Sequence, residues 1–157
     1  MTADAGRAVL ELWTDGSAEG RAGRPGGWAF IAVRDDVEVA SRQGGDPATT
    51  CVVMELEAVR QALLTARSKG WHRRSRLVVV SDSSIALEAA AGRFLPRPYA
   101  ALAAEVRALA EALAVDTRKV RSHAGQRWNE LADAKALEAR LAVQAEARAA
   151  KRSRRSR

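Results

Sequence analysis

The chain has too little cysteine for a covalent framework: Cys51 is the only one in 157 residues. A disulfide scaffold within the chain is excluded, and so is any metal site built on several thiolates. Long apolar runs are also missing. No stretch approaches the ~20 residues a membrane span requires, and the N-terminus has no apolar run that could serve as a signal-peptide core. These absences set the expectation of a cytoplasmic protein in a reducing setting, with no membrane partner. There is no internal repeat and no convincing interdomain linker, and the length suits one domain. Apolar residues make up 47% and charged residues 29%, enough for a packed core and too apolar for wholesale disorder.

The formal charge is +7, from 26 basic and 19 acidic residues. Its distribution is uneven. Residues 151–157 hold five cations and no anion, and without them the balance falls to +2. A basic excess suits a polyanionic partner such as nucleic acid, although a basic end is equally compatible with a solvated, disordered tail. The expected division is a catalytic domain over residues 7–150 and a disordered basic tail over 151–157.

Hydrophobic periodicity predicts strands over 7–14, 28–34 and 37–42, with the Asp35-Asp36 pair turning the second into the third. Residues 15–27 and 44–48 read as loops because of their glycines and prolines. Val52, Leu56, Val59 and Leu63 fall at helical spacing over 51–69, and Gly70 ends that helix. The apolar run Leu77–Val80 reads as a strand buried on both faces. Helices follow over about 84–92 and 99–114, then a basic strand over 117–122 and a long helix over about 128–150. The order β-β-β-α-β-α-α-β-α implies an α/β fold. Its mixed five-stranded sheet would be antiparallel on one side and parallel on the other, with flanking helices.

Four carboxylates stand out by position. Asp15 and Asp82 close the first and fourth strands, so parallel neighbours would bring them to one sheet edge, where α/β folds place ligands. Glu55 and Asp133 border the buried stripes of the first and last helices. Each one alone is ordinary: an aspartate forms turns, and a helical acid sits on a solvated face. Converging, they would repel one another at a partly buried point unless cations intervened. Oxygen ligands without cysteine favour magnesium or manganese. Two such ions ~3.5–4 Å apart suit an in-line phosphoryl displacement.

The chain resembles the type 1 ribonuclease H family of the bacterial kind. The resemblance rests on T-D-G-S at 14–17, G-G-W at 26–28, T-T-x-x-x-M-E-L at 49–56, V-V-S-D-S at 79–83 and S-H-A-G-x-x-x-N-E-x-A-D at 122–133. It implies a ribonuclease H-like fold and hydrolysis of the RNA strand of RNA–DNA hybrids, leaving 5′-phosphates. It further implies two Mg²⁺ ions, with Mn²⁺ as a substitute, held by Asp15, Glu55, Asp82 and Asp133. His123 would assist proton transfer or product release. Gly16, Ser17, Thr50 and Asn129 match substrate-binding positions, Thr50 at a DNA-strand phosphate. No obligate protein partner is evident, and a monomer is expected.

The chain departs from that pattern in two places. Cys51, Val52 and Val53 stand where the family commonly has Asn, Asn and Arg, which removes side chains able to read the 2′-hydroxyl. Cys51 is expected to be a half-buried small hydrophobe. The segment between Ser83 and Thr117 is too short for the family's basic protrusion and offers only Arg93, Arg97 and Arg107. The basic tail is the expected replacement. Two other functions stay open: a nuclease of the same fold that also accepts double-stranded RNA, and a non-catalytic nucleic-acid-binding module. The intact acidic set argues against the module, because an acidic cluster repels phosphate.

Overall fold

The structure is a computed structural model that describes residues 6–93 and 97–157. Its elements are β1 (Val9–Ala18), β2 (Arg24–Arg34), β3 (Val37–Thr49), α1 (Cys51–Lys69), α2 (Trp71–Arg74), β4 (Arg76–Ser81), α3 (Ser84–Ala91), α4 (Ala100–Ala112), β5 (Asp116–Lys119) and α5 (Arg127–Arg155). A 3-10 turn, Arg97–Tyr99, leads into α4.

The strand order is β3-β2-β1-β4-β5. β1, β2 and β3 pair antiparallel, while β4 runs parallel to both β1 and β5. This is the expected mixed sheet. Asp35 and Asp36 take positive φ, 50° and 58°, as a tight turn matching the strand twist requires.

Strand alternation divides the core in two. Leu10, Leu12, Phe30, Leu77 and Val79 face α1, α3 and α4 in the larger cluster. Trp13, Ile31, Val33, Val78 and Val80 face Trp128 and Ala132 of α5 in the smaller. Thr50 caps α1 by accepting from the Val53 N–H, and Ser83 caps α3 by accepting from the Ala86 N–H. These hydroxyls satisfy amides that have no partner within the helix.

Four expectations need correction. The briefest concerns β5, which ends at Lys119 and leaves residues 120–122 outside the strand. β1 does not stop at Thr14: it continues through Asp15 to Ala18, pairing with β2 as far as Gly26. β2 begins at Arg24 and β3 extends to Thr49, across glycines that looked like loop. Those glycines serve close packing. A Cβ on Gly27 would lie 2.2 Å from the Ala136 carbonyl oxygen of α5, and one on Gly44 would meet the Trp28 ring at 2.6 Å. The last correction concerns the basic end. Helix α5 does not stop near 150 but runs to Arg155. No Gly or Pro follows Gly125, alanines abound, and Arg152, Arg154 and Arg155 in the last turn complement the helix dipole.

Candidate active site

The register of β1 and β4 sets the site. Trp13 lies opposite Val80 in the parallel pair. Two residues further on come Asp15 within β1 and Asp82 just past the end of β4, on the α5 side of the sheet by alternation. Glu55 arrives from the other side, one turn into α1. Gly16 makes that approach possible. A Cβ there would lie 2.5 Å from the Glu55 backbone nitrogen and 2.6 Å from the Met54 carbonyl carbon. The absent side chain lets the start of α1 press against β1.

Carboxylate oxygens of Asp15, Glu55 and Asp82 consequently lie within 4.8 Å of one another. Asp15 is buried, at 4% exposure, and its Oδ1 accepts the Gly16 N–H at 2.9 Å. Burial, then the charges of Asp82 and Asp133, raise the Asp15 carboxyl from the usual range to about 7; the Gly16 N–H opposes this. Burial, followed by Asp15 and Asp82, pushes Glu55 up to about 10. Lone acids in such a place would hold protons.

Glu55 Oε2 is buried without a hydrogen-bond partner. It is an acceptor facing other acceptors, which a cation satisfies and a further protein donor does not. The oxygen-only donor set and this orphaned atom fit a hard divalent ion. Asp133 is placed differently. It sits on an exposed turn of α5, outside the close trio, but near enough to Asp15 to raise its carboxyl by charge and hydrogen bonding. It is more open than its place beside the apolar stripe suggested.

The RNase H family model matches residues 7–140. The chain belongs to the ribonuclease H family. It is 35% identical to the ribonuclease H of Treponema pallidum, over 91% of this chain and 94% of that protein. It is 32% identical to the ribonuclease H of Granulibacter bethesdensis, over 85% and 93%. Among solved structures, the N-terminal RNase H domain of a Mycobacterium tuberculosis protein superposes with a TM-score of 0.76 at 21% identity. That match covers 89% of this chain and 99% of that one, and it shows the shared fold. The chain is thus a divalent-metal-dependent ribonuclease H, hydrolysing the RNA strand of RNA–DNA hybrids. Among the described residues, no helix is long and apolar enough to cross a membrane.

His123 is exposed on the loop between β5 and α5, with φ 53°. Its neighbour Ser122 donates to Asp82 Oδ2 at 2.8 Å. In the sequence Ser122 closes the expected strand over 117–122 and draws no attention; its place in the S-H-A-G run is the only hint. Asn129 does not cap α5. Gln126 occupies that position, and Asn129 lies buried in the first turn with Oδ1 unpartnered. Gly16 and Ser17 continue β1 beyond Asp15, opposite Trp28 and Gly27. Cys51 is exposed, not half-buried, because it opens α1 at the surface. Thr50, Cys51 and Val52 line an open groove with Arg21 and Tyr99. Trp128 is buried and donates to Asp36 Oδ1 at 2.7 Å, anchoring the start of α5 to the β2–β3 turn.

Proposed function

We propose that Asp15, Glu55, Asp82 and Asp133 together hold two magnesium ions, for which manganese can substitute. The observation that carries this is the close acidic trio with Glu55 Oε2 buried and unpartnered. Bound ions would supply a water of lowered pKa and charge neutralisation at the scissile phosphate. The chain's own groups do the rest. The Gly16 N–H fixes Asp15, and the Ser122 hydroxyl fixes Asp82. His123, free to swing on its exposed loop, delivers a proton to the departing 3′-oxygen, so the products carry a 5′-phosphate and a 3′-hydroxyl. Gly16, Ser17, Thr50 and Asn129 border the path of the hybrid. All four acids come from one chain, which supports a working monomer. A lone exposed cysteine suits a reducing, cytoplasmic setting.

A wider substrate range is supported by one observation. The groove beside α1 presents Cys51 and Val52, neither with a strong donor for a 2′-hydroxyl. One experiment tests both readings. The pure protein is incubated with matched hybrid, double-stranded RNA and double-stranded DNA, with magnesium or chelator, beside the Asp15→Asn variant. The expected result is cleavage of the hybrid's RNA strand, lost with chelator and with the substitution. Comparable cutting of double-stranded RNA would establish the wider range. Tight binding without any cleavage would defeat the catalytic reading.

A further inference from the structure

Helix α5 outlasts the sheet it packs on. Its last fully buried residue is Ala139, and every residue from Arg148 to Arg157 is exposed. The extension lies beyond residues 7–140, which match the family. Four of its cations, Arg148, Lys151, Arg152 and Arg155, recur at i, i+3, i+4 and i+7, and so form one stripe along the helix.

That stripe continues the face that meets the β1–β2 hairpin. Gln144, one turn earlier, donates to Glu19 Oε1 at 3.1 Å, and Arg24 of β2 pairs with Glu19 Oε2 at 2.8 Å. Arg148 and Lys151 line the same cleft as Glu19 and Arg24. Among the described residues Glu19 is the only acid lining that cleft, and Arg24 pairs with it. Among the described residues, no carboxylate pairs with Arg148, Lys151, Arg152 or Arg155. A row of unneutralised cations on a preformed helix complements a row of phosphates.

We propose that this helical arm grips the sugar–phosphate backbone of the hybrid away from the point of cleavage. The proposal rests on the nuclease reading above. It assigns to a rigid helix the affinity that the missing basic protrusion would otherwise provide. Along α5, Arg148 lies fifteen residues beyond Asp133, or about 22 Å at the α-helical rise. A duplex lying along α5 must therefore extend roughly seven base pairs from the carboxylates to reach the arm.

The test measures hybrid binding by fluorescence anisotropy between 50 and 200 mM salt, in an Asp15→Asn background so that no RNA is cut. The arm variant carries Arg148→Gln, Lys151→Gln, Arg152→Gln and Arg155→Gln. Its charge-matched control carries Arg67→Gln, Lys69→Gln, Arg73→Gln and Arg74→Gln, at the opposite end of β4 from Asp82. Both sets are exposed, and melting curves verify that each variant folds. For a 24-base-pair hybrid, the arm variant should bind at least about tenfold more weakly at low salt. Its slope of log affinity against log salt should be shallower by about three, since each phosphate contact contributes about 0.9. The control should match the parent. An eight-base-pair hybrid centred on the carboxylates, too short to reach the arm, should bind parent and variant alike.

Parent-like affinity and slope in the arm variant would overturn the proposal. So would an equal loss in the control, or an equal loss on both hybrid lengths. If the unsubstituted chain cleaves no hybrid, the nuclease reading fails, and the anisotropy measurement still decides the arm separately.

Discussion

Helix α1 delivers Glu55 into a closed setting, with its backbone nitrogen against Gly16 and one carboxylate oxygen sealed from water. Helix α5 delivers Asp133 from the opposite face of the sheet into open solvent. The acidic site is thus rigid on one side and accessible on the other. The closed side concentrates the unfavourable electrostatics, because desolvation leads the causes that raise both Asp15 and Glu55. The open side gives Asp133 room to adjust as ligands come and go. Strain and access are thereby assigned to different helices.

The largest effect that separates the two sides is expected at the closed one. Asp15→Asn should lower hybrid cleavage about a thousandfold, equivalent to about 4 kcal/mol of lost charge stabilisation. The same substitution should raise the melting temperature in chelator, because a buried carboxyl that is costly to ionise beside Asp82 becomes a neutral amide. Cleavage assays and thermal melts on one preparation check both halves; a fall in melting temperature would mean the trio is not strained without metal.

Next comes Gly16→Ala, which tests the close approach itself. The added methyl would lie within 2.6 Å of two backbone atoms of α1, and neither can swing aside. A loss of about 3 kcal/mol is expected, read as a lowered denaturation midpoint at unchanged slope. A neutral result would show that α1 can retreat from β1.

The pH dependence is smaller and has a definite sign. In the folded chain Asp15 titrates at about 7 and Glu55 is pushed up to about 10. An unfolded chain releases both protons near pH 4. The folded state therefore binds more protons across that interval, and metal-free stability should decline as pH rises from about 5 to 9. Glu55→Gln should flatten the decline, and magnesium should reverse it. Denaturation midpoints at three pH values measure the trend; a rise with pH would contradict it.

The smallest expected effect belongs to the open side. Asp133→Asn should leave metal-free stability within about 0.5 kcal/mol, as is usual for an exposed position, while reducing cleavage. A melting shift as large as that of Asp15→Asn would erase the distinction between the helices.

Much of the closed side was legible in the sequence. The four acids could be picked out because strand ends and helical stripes have fixed periods, and those periods place Asp15 beside Asp82 and turn Glu55 inward. The mixed character of the sheet followed from three early strands and a later alternation with helices. Glycine caused most of the errors. Gly26, Gly27, Gly44 and Gly45 were read as loop for their backbone freedom, whereas the fold uses them inside strands for their lack of bulk. Composition cannot distinguish these two uses, because only the partner surface decides. The Ser122 contact with Asp82 was hidden for a similar reason, since it joins a loop to a strand forty residues away. The basic end was misjudged because charge suggested disorder, while an unbroken alanine-rich pattern was carrying the helix on.

The pairing of β1 with β4 also bears on the order in which the chain comes together. β1, β2 and β3 form a meander from neighbouring segments, whose loops close cheaply. Asp15 and Asp82 meet only when β4 docks from more than sixty residues away. Assembly of the sheet can therefore be well advanced before the acids confront one another, and their repulsion falls on a late step. For contacts that form late, a cation that relieves this repulsion acts chiefly on unfolding. It should prolong the lifetime of the folded molecule far more than it hastens folding.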